Sequence, residues 1–227
     1  MRSTRLLALC LSAVSATAGQ AAWAQKTAPA VPAGVVTPAL ASEVDASTPQ
    51  KLIETAARAM MRDIEANRAL YRKDPMQLYA LVDRILLPYF DVEYAARLVL
   101  GRHWRTASPE QRKRFVEAFY RSLLTNYSDA LVEFTSDRLK ILPAAVDPSG
   151  TTASVRADVK RSNGDKVPVS YSMRRTPPGW KAWDVVIEGI SYVKSFREDF
   201  GAEIDQKGLD AVLVRLENQR GAPARKS

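Results

Sequence analysis

The feature that most constrains the fold is a change in the spacing of apolar residues at about Leu139. Before this point apolar residues recur every three or four positions, as on one face of an α-helix; after it they alternate with polar residues, as in a half-buried strand. Helices that precede an antiparallel sheet, with further helices after it, form an α+β domain. We therefore expect a single α+β domain with N-terminal helices, a twisted antiparallel sheet of about four strands and C-terminal helices.

Four helix starts carry capping signals. Thr48 precedes a proline, Asp91 precedes the run VEYAARLVL that Gly101 ends, and Asp74 and Ser108 each stand three residues before a glutamine, as in a capping box. The helix after Ser108 is the longest, and its aromatic-rich face is wider than a core stripe requires. Such a face most often forms core, but its extra width also suits the lining of a cavity.

Three runs of residues predict the main strands. Residues 153–159 and 167–173 alternate cleanly and flank the turn signal Asn163-Gly164, whereas WKAWDVVIEG alternates less cleanly, which favours burial on both faces. A short strand near Lys140–Leu142 completes the predicted sheet. Two helices close the chain, from Ser191 to about Ile204 and from Leu209 to about Asn218.

The chain begins with a predicted secretory signal peptide, residues 1–24. Arg2 and Arg5 precede an apolar run, which is too short to span a membrane, and Ala22-Trp23-Ala24 forms an A-x-A cleavage site. We expect a disordered Ala/Pro-rich leader at residues 25–47, the folded domain at 48–220 and a disordered tail at 221–227. An exported chain of this kind is expected in the periplasm.

Composition excludes several kinds of site. Cys10 is the only cysteine and leaves with the signal peptide, so the mature chain has no disulfide and no thiolate nucleophile. With one histidine, a transition-metal site would rest almost wholly on carboxylates, so we expect no metal and no cofactor.

The chain carries a net charge of +8, which falls to +6 once Arg2 and Arg5 are removed. In an exported protein this charge points to phospholipid head groups or acidic protein surfaces rather than to nucleic acid, although an ordinary basic surface explains it equally well. Six cations are clustered around one helix end and predict a partly electrostatic partner surface: Arg102, Arg105, Arg112, Lys113, Arg114 and Arg121.

Catalytic candidates are few. His103 has no nearby residue in the sequence that could orient it as a general base, so we interpret it as an aromatic packing residue at a helix joint. Gly189-Ile190-Ser191 lies between a strand and a helix, like a hydrolase nucleophile elbow, but Val193 replaces the second glycine of that motif. A helix cap is the simpler role for Ser191, and a serine esterase or lipase remains an alternative.

Several runs together resemble the MlaC family of periplasmic phospholipid-binding proteins, also known as toluene-tolerance proteins. They are LLPYFDVEYAARLVLGRHWRTASPEQRKRFVEAFYRSLLTNYSDAL, VPVSYSMRR, WKAWDVVIEGISYVKSFREDFGAEI and GLDAVLVRL. The resemblance covers roughly Pro49 to Leu216 and leaves out the leader. It implies an NTF2-like sheet joined to helices, with an apolar cavity between them that holds the acyl chains.

The resemblance also implies a monomeric, non-enzymatic carrier with bound phospholipid as cargo. Its partners would be an outer-membrane lipoprotein–porin complex and an inner-membrane ABC transporter complex, and nucleic acid would not be one. An exported adaptor that binds a partner helix in an apolar groove is the alternative.

The candidate lipid-binding residues come from the inward strand positions and the helix faces opposite them, with plain core as the competing role for each. From the strands they are Val155, Ala157, Val159, Val167, Val169, Tyr171 and Met173, joined by Trp183, Val185 and Ile187 if that strand presents the same face. From the helices they are Phe119, Leu123, Tyr127, Tyr192 and Phe196.

Overall fold

The computed structural model describes residues 43–133, 138–160 and 164–218, and it confirms the predicted α+β class. The helices are α1 (Pro49–Lys73), α2 (Pro75–Ile85), α3 (Val92–Leu100), α4 (His103–Thr106), α5 (Pro109–Val132), α6 (Tyr192–Lys207) and α7 (Leu209–Asn218). The strands are β1 (Leu139–Ile141), β2 (Ala145–Val146), β3 (Thr152–Lys160), β4 (Lys166–Thr176), β5 (Gly179–Ile187) and β6 (Ile190–Ser191). The predicted signal peptide and tail, most of the predicted leader and Asn163 lie outside the described residues.

The capping residues begin the helices where the sequence predicts. The Thr48 side chain accepts a hydrogen bond from the Lys51 amide at the start of α1, and the Asp91 carboxylate accepts one from the Tyr94 amide in α3. At the start of α5, the Ser108 hydroxyl accepts from the Gln111 amide at 3.1 Å while the Gln111 side chain accepts from the Ser108 amide at 2.9 Å. This reciprocal pair satisfies two amide groups that the first turn leaves free.

The sheet is antiparallel, with strand order β1-β3-β4-β5-β6 and β2 paired to β3 as well. It therefore holds two more strands than expected, because the two-residue strands β2 and β6 are too short to show alternation. In β3 and β4, Val155 lies opposite Tyr171 and Ala157 opposite Val169 on the inner face, whereas Arg156 lies opposite Ser170 on the outer face.

A bulge explains the imperfect alternation of β5. Ser172 pairs with Asp184 and Met173 with Ala182, so Trp183 is an extra residue between the two pairs. Asp184 on the outer face is only 3% exposed, so β5 is buried on both faces there.

The helices bury two cores. One joins α3, the first half of α5, α6 and α7 and contains Phe115, Phe200 and Leu213. The other joins α1, α2 and the last half of α5 and contains Met60 and Ile85. Because α5 contributes to both, it connects the two helical parts of the domain.

Two clusters cover the inner face of the sheet. The proximal sheet cluster packs against α1 and comprises Leu52, Ile53, Ala153, Val155, Met173, Trp180 and Ala182. The distal sheet cluster comprises Ala157, Val167 and Val169, with Leu139, Ile141, Val159, Tyr171, Val185 and Ile187 packed around them.

The last part of the predicted leader contacts the domain. The Asp45 amide donates to the Thr55 hydroxyl in α1 at 2.9 Å, and Val44 packs against both the second helical core and the proximal sheet cluster. Within the described ranges, no helix is both long enough and apolar enough to cross a membrane.

Candidate functional site

The distal sheet cluster is the candidate site because its composition differs from that of the other apolar clusters. Ala157, Val167 and Val169 are 1%, 7% and 7% exposed, and every hydrophobic residue that packs with them in the described part of the chain belongs to a strand. The other three clusters each combine residues from two or more helices, or from a helix and the sheet. An apolar strand face of this kind can receive an apolar ligand without disturbing helix packing.

Tyr171 is the only tyrosine among the described members of the distal sheet cluster. Burial raises the pKa of its hydroxyl, so the phenol stays protonated at neutral pH and can donate a hydrogen bond. Among the described residues we find no hydrogen-bond partner for this hydroxyl. A polar donor at the edge of an apolar surface suits a ligand that combines hydrocarbon with oxygen atoms.

An aromatic ladder connects α5 and α6. Its rungs are ring contacts with centroid distances of 5.4 Å between Phe119 and Phe196, 5.5 Å between Phe115 and Phe200 and 5.6 Å between Tyr127 and Tyr192. All three pairs meet edge to face, an arrangement that stabilises aromatic pairs. The close backbone neighbours of α5 are α7, α3, α1 and α2, whereas those of α6 are α3, α7, β5 and β6. Rings therefore connect these two helices across a gap that their backbones do not close.

The ladder ends in two tyrosines. Burial, and secondarily the neighbouring Tyr192 hydroxyl, raise the pKa of Tyr127 well above its ordinary value. Tyr192 is the first residue of α6 and lies directly after β6, where the sheet passes into the helix. The ladder thus runs from the buried core at Phe115 to a polar end beside the sheet.

The predicted lipid-binding residues fall into three groups. Seven lie in the distal sheet cluster: Ala157, Val159, Val167, Val169, Tyr171, Val185 and Ile187. Five lie on the ladder helices, where Phe119 belongs to the first helical core, Leu123 and Phe196 pack against that core, and Tyr127 and Tyr192 form the polar end. Val155, Met173 and Trp183 lie elsewhere.

Those three residues have other packing partners. Val155 and Met173 lie in the proximal sheet cluster beneath α1. Trp183, at the bulge, leaves the inner face and packs against the first helical core, with its ring 5.6 Å from that of Tyr94. Trp183, Val185 and Ile187 were expected to join the lining only if β5 presents the same face as β3 and β4. Trp183 does not meet this condition, whereas Val185 and Ile187 do.

Two members of the distal sheet cluster were not predicted from the sequence, Leu139 and Ile141. Both lie in β1, on either side of the polar Lys140, so their alternation could have indicated them. With three residues the strand was too short for this pattern to be distinguished from chance.

Ser191 caps a helix, as predicted. Its hydroxyl accepts from the Lys194 amide at 3.1 Å and donates to the Asp184 carboxylate at 2.6 Å, and the other Asp184 oxygen accepts from the Val193 amide at 3.0 Å. The buried carboxylate and the serine together bind the amide groups at the start of α6.

His103 has a partner that the sequence did not reveal. Its Nε2 atom lies 3.3 Å from a carboxylate oxygen of Asp205 in α6, and Arg102 pairs with the same carboxylate. The neighbouring Trp104 contacts the first helical core and lies 5.3 Å from the Arg112 guanidinium, and the His103 side chain is largely buried beside it. The sequence offered no nearby residue to orient His103, and the partner in the structure lies about a hundred residues away along the chain.

His103 and Ser191 are nevertheless too far apart to react together. Asp205, which touches His103, follows Ser191 by fourteen residues along α6. At 1.5 Å per residue that is about 20 Å, whereas a nucleophile and its base must lie within hydrogen-bond distance. In the described ranges, no group of three metal-ligating side chains comes together either.

Comparison with known proteins identifies relatives over most of the fold. A family model described as MlaC protein matches residues 54–218. The toluene tolerance protein ttg2D of Pseudomonas putida is 33% identical over 168 residues, which cover 74% of this chain and 78% of that protein. The intermembrane phospholipid transport system binding protein MlaC of Haemophilus influenzae is 26% identical over 180 residues, 78% of this chain and 84% of that protein.

A solved structure has the same fold. The phospholipid-binding protein from Ralstonia solanacearum, determined in complex with a phospholipid, matches with a TM-score of 0.68 over 75% of this chain and 96% of its own. At 24% identity the match establishes the arrangement of helices and sheet.

Proposed function

Because the chain belongs to the MlaC family, we propose that it is a periplasmic phospholipid carrier whose cargo lies against the distal sheet cluster. The observation that carries this proposal is the strand-only composition of that cluster, which leaves an apolar surface without helical packing among the described residues. The relatives named for phospholipid transport and phospholipid binding support the choice of cargo.

The energetics of the cargo require such a surface. Each methylene moved out of water contributes about 0.8 kcal/mol, so two exposed acyl chains would cost on the order of 20 kcal/mol. A carrier must therefore enclose the chains, while the head group can remain in water. Valine, isoleucine and alanine side chains on the strands provide contact for the chains, and the Tyr171 hydroxyl can donate to an ester or phosphate oxygen.

The aromatic ladder would form the opposite wall. Tyr127 and Tyr192 lie at its end nearest the sheet, and their rings connect helices whose backbones stay apart. Rings can shift with little change in the backbone, so this wall can adapt to chains of different length. Phe115 and Phe119, which are 0% and 2% exposed, would hold the far end of the ladder fixed.

The carrier would leave its cargo chemically unchanged. The separation of His103 from Ser191 supports a role without hydrolysis, and the Ser191 hydroxyl is engaged in the helix cap. The sequence contains no nucleotide-binding loop, so directional transfer would depend on partners. We propose an outer-membrane lipoprotein–porin complex and an inner-membrane ABC transporter as those partners.

Native mass spectrometry of the purified protein tests this function. We expect a mass increase equal to one or more intact diacyl phospholipids, which disappears when the same sample is denatured and which lipid analysis of the extract identifies. A protein that carries no lipid and does not take up phospholipid from vesicles would contradict the proposal and favour the adaptor. Free fatty acid or lysophospholipid accumulating with time would favour the esterase.

A further inference from the structure

The outer face of the distal sheet, which is the part of β1, β3 and β4 behind the distal sheet cluster, carries more cations than carboxylates. Four cations lie on it, and all four side chains are exposed: Lys140, Arg156, Lys160 and Lys166. Three carboxylates belong to the same region: Asp158 opposite Lys140, Asp165 directly before Lys166 and Glu188 after β5. Four cations against three carboxylates leave these residues with a net charge of +1.

The cations are not neutralised within the described part of the chain. None of the four lies within 4.0 Å of a carboxylate oxygen there, whereas ten other ion pairs occur in that part. Lys160 and Lys166 lie directly opposite each other on paired strands. Like charges in that position destabilise a sheet, so an anionic ligand across them would relieve a cost that the free protein bears.

The same face has a concavity of about 240 Å³. Arg156, Asp158 and Ser170 contribute its polar side chains, and Leu142, Pro168 and Val186 contribute apolar ones. The Arg156 guanidinium, which makes no ion pair with a described residue, could contact a phosphate, while the Ser170 hydroxyl and the small apolar surfaces would accept the rest of a head group.

The helical basic cluster predicted from the sequence is a weaker candidate. Arg102 pairs with Asp205, the Arg114 guanidinium makes a two-point contact with Glu217, and Arg112 lies against Trp104. Only three of the six cations remain exposed and without an ion pair in the described ranges: Arg105, Lys113 and Arg121. Glu117 stands four residues from both Lys113 and Arg121 on α5, so four of the six cations have a carboxylate as an ion-pair partner or one helical turn away.

We propose that the outer face of the distal sheet docks the protein reversibly on an anionic phospholipid membrane. This surface would hold the proposed carrier near lipid. Its purpose therefore rests on the proposed function, whereas the binding to membranes does not. The large exposed hydrophobic residues of the described part lie off this face, so the contact is electrostatic and does not require insertion. Such an attachment is weak enough for a protein that must leave the membrane again.

The test compares two variants of equal charge for binding to vesicles. In the sheet variant, Lys140, Arg156, Lys160 and Lys166 are all replaced by glutamine. In the control, the same replacement is made at four exposed cations elsewhere that lack ion pairs in the described ranges: Lys73, Arg105, Lys113 and Arg121. Flotation is measured with phosphatidylcholine vesicles that contain or lack phosphatidylglycerol, at low and at high salt.

We expect the unmodified protein to bind only vesicles that contain phosphatidylglycerol, and to dissociate in high salt. A cation near an anionic surface contributes about fivefold in affinity, so the sheet variant should lose on the order of a hundredfold or more, and the control much less. Equal losses in the two variants, or no binding by the unmodified protein, would refute the docking surface.

Two controls separate this proposal from the carrier function. The thermal midpoint of the sheet variant should stay the same or rise, because the Lys160–Lys166 repulsion is removed. Native mass spectrometry of both variants reports their cargo. Cargo lipid without vesicle binding refutes the docking surface alone, and vesicle binding without cargo supports docking while refuting the carrier.

Discussion

The two halves of the inner sheet face have the same sequence pattern and different surroundings. In the proximal half, Val155 is 0% exposed and lies in one cluster with Leu52 and Ile53 of α1. In the distal half, Val169 is 7% exposed and its cluster contains strand residues alone. Both valines occupy alternate, inward positions of their strands, so alternation determines which face a residue occupies but not what covers that face.

The position of α1 creates the difference. α1 approaches β3 and β1 and supplies large aliphatic side chains to the proximal half, where they complete a core. In α5, Leu124 and Leu131 pack against the core of α1 and α2 rather than against the sheet. The same sheet thus completes a core at one end and leaves a strand-only apolar cluster at the other, where we propose that cargo binds.

The largest effect is expected from Val155→Asp. A carboxylate at this fully buried position loses its water and gains no partner, which should lower the free energy of unfolding by more than about 4 kcal/mol. Urea denaturation followed by circular dichroism measures this loss. If the variant remains nearly as stable as the unmodified protein, the proximal half is not core and the comparison fails.

Val169→Asp should instead remove the cargo. If cargo lies against Val169 as proposed, the space it leaves can admit water and a carboxylate there keeps part of its hydration, so we expect a loss of stability at least about 2 kcal/mol smaller than for Val155→Asp. The bound phospholipid should disappear in native mass spectra. Since the variant can also unfold the domain, its denaturation curve must be recorded alongside.

Ser170→Asp is the matched control for that variant. Ser170 is the next residue along β4 but lies on the outer face, opposite Arg156. The same charge placed there should leave the cargo in place. Equal loss of lipid in both variants would show that the effect arises from general damage to β4 and not from the distal cluster.

Local chemistry made much of this fold predictable. The capping residues Thr48, Asp74, Asp91 and Ser108 all begin helices in the structure, because a side-chain oxygen and the first free amides lie within one turn. The inward residues of β3 and β4 were predicted for a similar reason, since strand geometry has a fixed period of two. Both signals depend only on residues that are close together in the sequence.

Long-range contacts were not predictable. The bulge at Trp183 depends on how β5 meets β4, and the partner of His103 comes from a helix about a hundred residues later. The division of the strand residues into proximal and distal clusters depends on where α1 ends up. A single sequence contains no signal for such pairings, so the family resemblance indicated a cavity before the residue pattern could locate it.

A smaller effect is expected from Ser191→Ala, which tests whether cargo binding depends on the sheet face alone. The variant loses the hydroxyl that accepts from Lys194 and donates to Asp184, so its stability should fall by about 1 kcal/mol. Bound lipid should be unchanged in amount and in chemical form. Hydrolysis products that form with the unmodified protein and vanish in this variant would replace the carrier with an esterase.

The smallest effect is expected from His103→Phe, which serves as a reference because His103 belongs to neither half of the sheet face. The substitution keeps an aromatic ring at the joint between α4 and α6 and removes the contact with Asp205. Arg102 still pairs with that exposed carboxylate, so the cost should be below about 1 kcal/mol. Lipid content and transfer of lipid to vesicles should match those of the unmodified protein. Loss of transfer in a variant with normal stability and normal lipid content would show that His103 acts in function, and would move the search for the site from the sheet to the end of α6.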